Sequence, residues 1–470
     1  MASPTTAART STVGVGALTA MVVGSMVGAG VFSLPARFAE RTGVWGTLGA
    51  WVVAGAGTLT LALVFQTLAV RRPALDAGIY AYAKTGFGEY PGFLSVVGYW
   101  ASACAGNVTY WVLVMSTLGA VFPALGQGDS VLAVALASVG LWGMFALVRR
   151  GVTGAVVINR VVTVAKLVPI VVFVVLCATL LDPHVLAQNL SAPASAGSFW
   201  SQLSGVTLVT VFVFLGVEGA SVYSRHARRR RDVGRATVLG FVSVLALFAS
   251  VSVVSYGILP ADQLAALRQP SMAGVLEAAV GGWGGILVSV GLVVSVLGAY
   301  LAWTLMAAEV LLVAARDGDL PRFLARSDAR DTPTPALFLT SALAQVLLVL
   351  TLLSADAFDF ALDLTATLAI VPYVLAAGFA VRVGLHDRRR AETVVAVLAT
   401  AYTLFLLVAA GPAYVLVVLV VYAPASVLFA RARHEAGRRA FSRGELAGLV
   451  AITAGAVVGV VCLATGAVHL

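Results

Sequence analysis

The chain has 470 residues, of which 60% are hydrophobic and 11% charged, and its mean hydropathy is +0.98. That composition excludes a soluble globular protein and indicates a polytopic membrane protein. A formal net charge of +9 would by itself suit nucleic acid, but the placement of the charges along the chain excludes that partner, as set out below.

The first apolar run extends from about Thr12 to Leu34 and is long enough to cross a bilayer. No small-residue cleavage site follows it before Pro35, so it is taken as a span rather than a signal peptide. Inside it lies Gly24-Ser25-Met26-Val27-Gly28-Ala29-Gly30-Val31-Phe32-Ser33-Leu34-Pro35. Three glycines so close together weaken a continuous helix by about 1 kcal/mol each relative to alanine. Glycine also lets the backbone leave helical geometry and lets a ligand approach it. Within a bilayer, broken backbone is tolerated only where protein buries it or a cavity lies beside it. The stretch therefore predicts a discontinuous helix with a ligand at the break; close packing through small residues is the alternative.

Twelve further spans are predicted, giving an all-α integral membrane protein of about 13 transmembrane helices. The thirteen cover 12–35, 44–70, 92–122, 130–148, 154–181, 201–224, 236–259, 283–315, 335–354, 360–382, 392–410, 412–430 and 446–468. Arg71, Arg72, Lys84, Arg149, Arg150, Arg225, Arg228 to Arg231, Arg316, Arg382 and Arg388 to Arg390 fall in the even-numbered connections. The odd ones hold Arg37, Arg41 and Arg268 with many carboxylates, among them Glu40, Asp182, Glu277, Asp356 and Asp359. The bias predicts a cytoplasmic amino terminus. The run Arg228–Arg231 is then an anchor for the inner leaflet, not a nucleic-acid site. The three cysteines, Cys104, Cys177 and Cys462, lie in apolar spans and the histidines do not cluster, so neither a disulfide framework nor a metal site is expected. No cofactor and no catalytic constellation is expected either.

Ala29-Gly30-Val31-Phe32-Ser33 has a faint echo in Ala220-Ser221-Val222-Tyr223-Ser224 of span six, which has its own interruption at Gly216-Val217-Glu218-Gly219-Ala220. The copies are five spans apart and so run in opposite directions, the arrangement of an inverted repeat with a site at paired breaks. A single transmembrane domain over 1–470 is expected, with repeats at 12–181 and 201–382 and additional peripheral helices at 392–468. The half-helix starting near Gly30 offers free N–H groups to a carboxylate. The ends near Met26 and Leu215 offer carbonyls to an ammonium. Together they suit an α-amino acid.

Lys166 lies on the order of 18 Å along span five, and Glu218 sits at the break in span six. Unpaired at the bilayer centre, each would cost about 2.5–3.5 kcal/mol. They are candidates for gating or coupling, or for a fixed ion pair with each other. Glu309 lies nearer the cytoplasmic end of span eight, where its side chain can also snorkel. Trp303 is central in span eight, where its indole either holds a cation or fills the core. Asn107 in span three serves a ligand or bonds a neighbouring helix.

These stretches resemble the amino acid–polyamine–organocation superfamily, and within it the basic amino acid/polyamine antiporters, arginine/ornithine exchangers above all. The likeness is carried by the span-one motif, by Phe214-Leu215-Gly216-Val217-Glu218-Gly219-Ala220-Ser221, and by Gly298-Ala299-Tyr300-Leu301-Ala302-Trp303-Thr304. The resemblance implies a 5+5 inverted-repeat core with discontinuous helices 1 and 6 that works by alternating access. It implies that Ser25, Met26, Gly28, Ala29 and Gly30 hold the α-amino acid group, and that Phe212 closes over it beside Leu215. It implies that Trp303 stacks on a guanidinium and that Asn107 binds the side-chain end, with Ser102, Ala103 and Tyr110 on the same face. Tyr99, Glu218 and Tyr373 would form an inner gate. Phe212 stands where arginine/agmatine exchangers have tryptophan, Ala29 where they have serine, and Tyr110 where they have methionine. Lys166 resembles the lysine of proton-coupled carriers that takes the place of a sodium ion. The expected function is cationic amino acid antiport in the cytoplasmic membrane. Proton-coupled symport through Lys166 is the alternative, and an amino acid sensor of transporter fold a remote one. The expected partners are a cationic amino acid and the lipid bilayer, with a homodimer allowed.

Overall fold

A computed structural model describes residues 14–465, apart from 73–74, 76–78, 151–154, 193–195, 219–229, 329–331 and 355. The first span is α1 (Val15–Met26), a 3-10 turn (Gly30–Ser33) and α2 (Leu34–Ala39). Then come α3 (Val44–Arg71), α4 (Ile79–Phe87), α5 (Glu89–Gly119), α6 (Val131–Arg149), α7 (Ala155–Leu180), α8 (Pro183–Gln188) and α9 (Phe199–Phe214). The second half comprises α10 (Arg230–Ser255), α11 (Ala261–Ala265), α12 (Ser271–Val280), α13 (Gly282–Arg316), α14 (Thr334–Leu350) and α15 (Ala357–His386). The chain closes with α16 (Arg390–Ala409), α17 (Gly411–Glu435) and α18 (Arg443–Ala464).

Among the described residues nine helices are long and apolar enough to cross a membrane, and the pair Leu18–Met26 and Gly30–Ala39, bent by 49°, makes a tenth span. The predicted third, fifth and sixth spans coincide with helices that fall short of that test for visible reasons. α5 is 31 residues long but buries Ser95, Ser102, Asn107, Thr109, Ser116 and Thr117. Within the part of α7 whose side chains are described, the apolar stretch is Lys166–Thr179, and α9 stops after 16 residues at its break.

α5 is the axis of the core. It is buried along almost its whole length and packs against α13, α14 and α15. α1 lies against α10, α9 against α3 and α15, and α7 against α13. α17 and α18 pack mainly on each other, at the periphery. The breaks follow from particular residues. α1 ends at Met26, and Val27 turns the chain with ψ 93°. α9 ends at Leu215 with ψ 136°, and Gly216 has φ +100°, a conformation natural to glycine. The echo Ala220–Ser224 lies outside the described residues, as do Arg228 and Arg229 of the arginine run.

Candidate functional site

The two breaks meet. Ser25 Oγ lies 2.8 Å from the Val22 carbonyl oxygen and 3.1 Å from that of Gly216. A Cβ on Gly216 would strike the Ser25 carbonyl, and one on Gly30 would come within 2.6 Å of Val213 and 2.7 Å of Phe212. Gly30 and Gly216 are thus required by close approach of the two discontinuous helices, whereas a Cβ on Gly28 would meet only an ordinary contact, the Tyr110 hydroxyl at 3.5 Å. Among the described residues no hydrogen bond is drawn from the N–H groups of Gly28, Ala29 or Gly30. Three donors are left facing a space rather than a helix.

That space is a partly open cavity, its empty volume about 410 Å³ with the part open to solvent included. The first break supplies Ser25, Met26, Gly28, Ala29 and Gly30 to its wall, and the end of α9 supplies Phe212, Val213 and Leu215. α5 adds Ser102, Ala103, Gly106 and Tyr110; Trp303 of α13 and Thr365 of α15 complete it. Every residue expected to contact a substrate is therefore here except Asn107. Asn107 is buried beside the cavity, where its Nδ2 donates to Thr304 Oγ1 at 2.9 Å, the interhelical bond that was the other reading of this residue. Gly106, Val213 and Thr365 escaped the sequence reading. Gly106 had a usable signal, since it lies one helical turn beyond Ser102 and Ala103. Thr365 had a weaker one, eight residues before Tyr373 on α15. Trp303 is half-buried, its ring centroid 6.4 Å from that of Tyr99.

Glu218, Tyr99 and Tyr373 form one cluster. Tyr99 Oη donates to Glu218 Oε1 at 2.8 Å and Tyr373 Oη to Oε2 at 2.8 Å. The N–H of Gly216 donates to Oε2 at 3.1 Å. Three helical segments are thereby tied by one buried carboxylate. Lys166, also buried, donates to the Gly24 carbonyl at the end of α1. Lys166 and Glu218 thus have separate partners in place of the mutual ion pair that the sequence allowed. Glu309 stands apart, on an exposed face of α13 and outside the cavity wall.

A second charged cluster was not anticipated. Arg37 of α2 is buried and pairs with Asp359 of α15, with Glu40 at 3.2 Å and with Asp363 at 3.7 Å. It joins the second half of the broken span to the start of α15.

The arrangement can hold a small zwitterion with its ends on the free N–H groups and carbonyls of the breaks. An aromatic face is left for whatever the side chain carries. Comparison with known proteins gives the family and its relatives. The family model for amino acid permeases matches residues 13–437. The chain is 44% identical over 443 residues to the arginine/ornithine antiporter of Pseudomonas aeruginosa, covering 91% of this chain and 92% of that protein. It is 38% identical to the arginine/ornithine antiporter of Latilactobacillus sakei, over 92% of this chain and 93% of that one. It is also 36% identical to the L-lysine transport protein of Corynebacterium glutamicum, over 95% and 94% of the two.

Proposed function

We propose, starting from the fact that this chain belongs to the amino acid permease family, that it is an antiporter exchanging cationic amino acids, arginine-like against ornithine- or lysine-like. The observation that carries this reading is the cavity where the two helix breaks face the indole of Trp303. Free N–H groups and carbonyls at the breaks suit the amino acid group common to all substrates. The aromatic face suits a cation, by about 1–2 kcal/mol when water is excluded. The relatives, two arginine/ornithine antiporters and an L-lysine transport protein, point to the same substrates.

In this reading Tyr99, Glu218 and Tyr373 are the inner gate. Phe212, packed against Gly30, is the lid on the other side of the substrate. Substrate release to the inside requires the three segments held by Glu218 to part. The chain would cross the cytoplasmic membrane thirteen times from a cytoplasmic amino terminus, with inverted repeats at 12–181 and 201–382 and peripheral helices at 392–468. A homodimer is compatible with it. Lys166, donating to the Gly24 carbonyl, braces the break and does not cycle a proton.

Counterflow in proteoliposomes tests the reading. Vesicles loaded with ornithine are expected to accumulate labelled arginine without a proton gradient, and empty vesicles to take up little. Equal uptake by loaded and empty vesicles would overturn exchange. No uptake of arginine, ornithine or lysine under any condition would overturn the substrate class.

A further inference from the structure

Tyr110 is 6% exposed, and its hydroxyl lies 3.5 Å from the Cβ position of Gly28, inside the cavity wall. Buried hydroxyls in folded proteins nearly always have a partner. Several other buried tyrosines here conform: Tyr90 meets Ser426 at 2.9 Å, Tyr256 donates to the Thr42 carbonyl at 2.9 Å, and Tyr99 and Tyr373 serve Glu218, whereas the buried Tyr422 hydroxyl has no partner among the described residues. Among the described residues the Tyr110 hydroxyl has no hydrogen bond to protein. The hydroxyl is not one of the fully buried unpartnered atoms, and Tyr110 lines the cavity, so a partner can come to it with the ligand. Around the hydroxyl lie the N–H groups of Gly28, Ala29 and Gly30, none of them bonded among the described residues, with the Met26 carbonyl oxygen 4.0 Å from the same Cβ position of Gly28. A cluster of donors calls for an anion, and a phenol hydroxyl adds a fourth donor to it.

We propose that Tyr110 makes the site selective for a free α-carboxylate. Its hydroxyl donates to the substrate carboxylate beside Gly28, so the cavity holds an amino acid and disfavours the amine that lacks the carboxylate. This rests on the amino acid reading of the cavity. It adds to that reading the group that separates arginine from agmatine. The competing orientation, with the hydroxyl accepting from the cationic end of the substrate, makes the opposite prediction.

The test is binding to the purified full chain of three matched pairs: arginine and agmatine, ornithine and putrescine, lysine and cadaverine. The parent protein is expected to bind each acid more tightly than its amine. Tyr110→Phe, which keeps the ring, is expected to weaken each acid about tenfold or more, the scale of one hydrogen bond to a charged group. It should leave the amines nearly unchanged. Loss that is equal for acid and amine, or absent for both, overturns the proposal, as does a parent that binds amines as tightly as acids. If Tyr110→Phe does not fold, Tyr110→Met carries the same comparison. A parent that binds none of the six removes the cationic-substrate reading instead. Leucine against isoamylamine then puts the same question to Tyr110, with the same outcomes deciding it.

Discussion

Gly30 is where backbone, packing and site coincide. Its hydrogen takes the place a Cβ would need against Val213 and Phe212, so even alanine must displace one or both of them. Gly30→Leu is expected to insert into membranes and to abolish exchange, with Gly30→Ala intermediate; normal uptake by a folded Gly30→Leu protein would remove the break from the site. The glycine pattern made this residue legible in the sequence, because glycine at such spacing has few uses inside an apolar span. Asn107 shows the opposite case. A polar residue in a buried helix faces a ligand or a neighbouring helix, and its sequence position carries no information on which. Here Thr304, 197 residues away, supplies the partner. Glu309 was ambiguous for a related reason: its depth along the helix is readable, but the direction its side chain takes depends on what packs beside it.

At the scale of elements, each break is anchored by a charge. Glu218 ties the end of α9 to α5 and α15, Lys166 ties α1 to α7, and Arg37 ties α2 to α15. The first two were visible because ionisable residues inside apolar spans are expensive and so draw attention. The third was not. Arg37 and Asp359 lie 322 residues apart, each at the edge of a predicted span, where charges are ordinary. Only the fold brings them together and buries the guanidinium. Arg37→Gln leaves Asp359, Glu40 and Asp363 close together without their counter-charge. Removing one partner of a buried ion pair costs about 3–5 kcal/mol; the carboxylates here are partly exposed, so the lower end applies. The solubilised Arg37→Gln protein is expected to melt several degrees below the parent, and adding Asp359→Asn should recover part of the loss. An unchanged melting temperature would mean that α2 is held by its apolar packing alone.

For the whole molecule, composition settled the membrane class at once, and the basic bias of alternate connections suggested an orientation. The number of spans was harder to read, since α5 carries polar residues along its length and α9 ends at a break. Both of these helices line the cavity. Coupling is also a property of the whole molecule, and Lys166 bears on it. A lysine that cycled a proton would hold the Gly24 carbonyl, which closes α1 at the break, less strongly in its neutral state than as an ammonium in each turnover. A charged, fixed Lys166 instead keeps the break in shape while substrates alternate. Arginine/ornithine exchange at fixed substrate is therefore expected to vary little between pH 6 and 8 and to persist when a protonophore collapses the gradient. Lys166→Ala should impair exchange at every pH alike, because the loss is one of geometry. Uptake into substrate-free vesicles that rises with an inward proton gradient, and loses that dependence in Lys166→Ala, would establish proton-coupled symport in place of exchange.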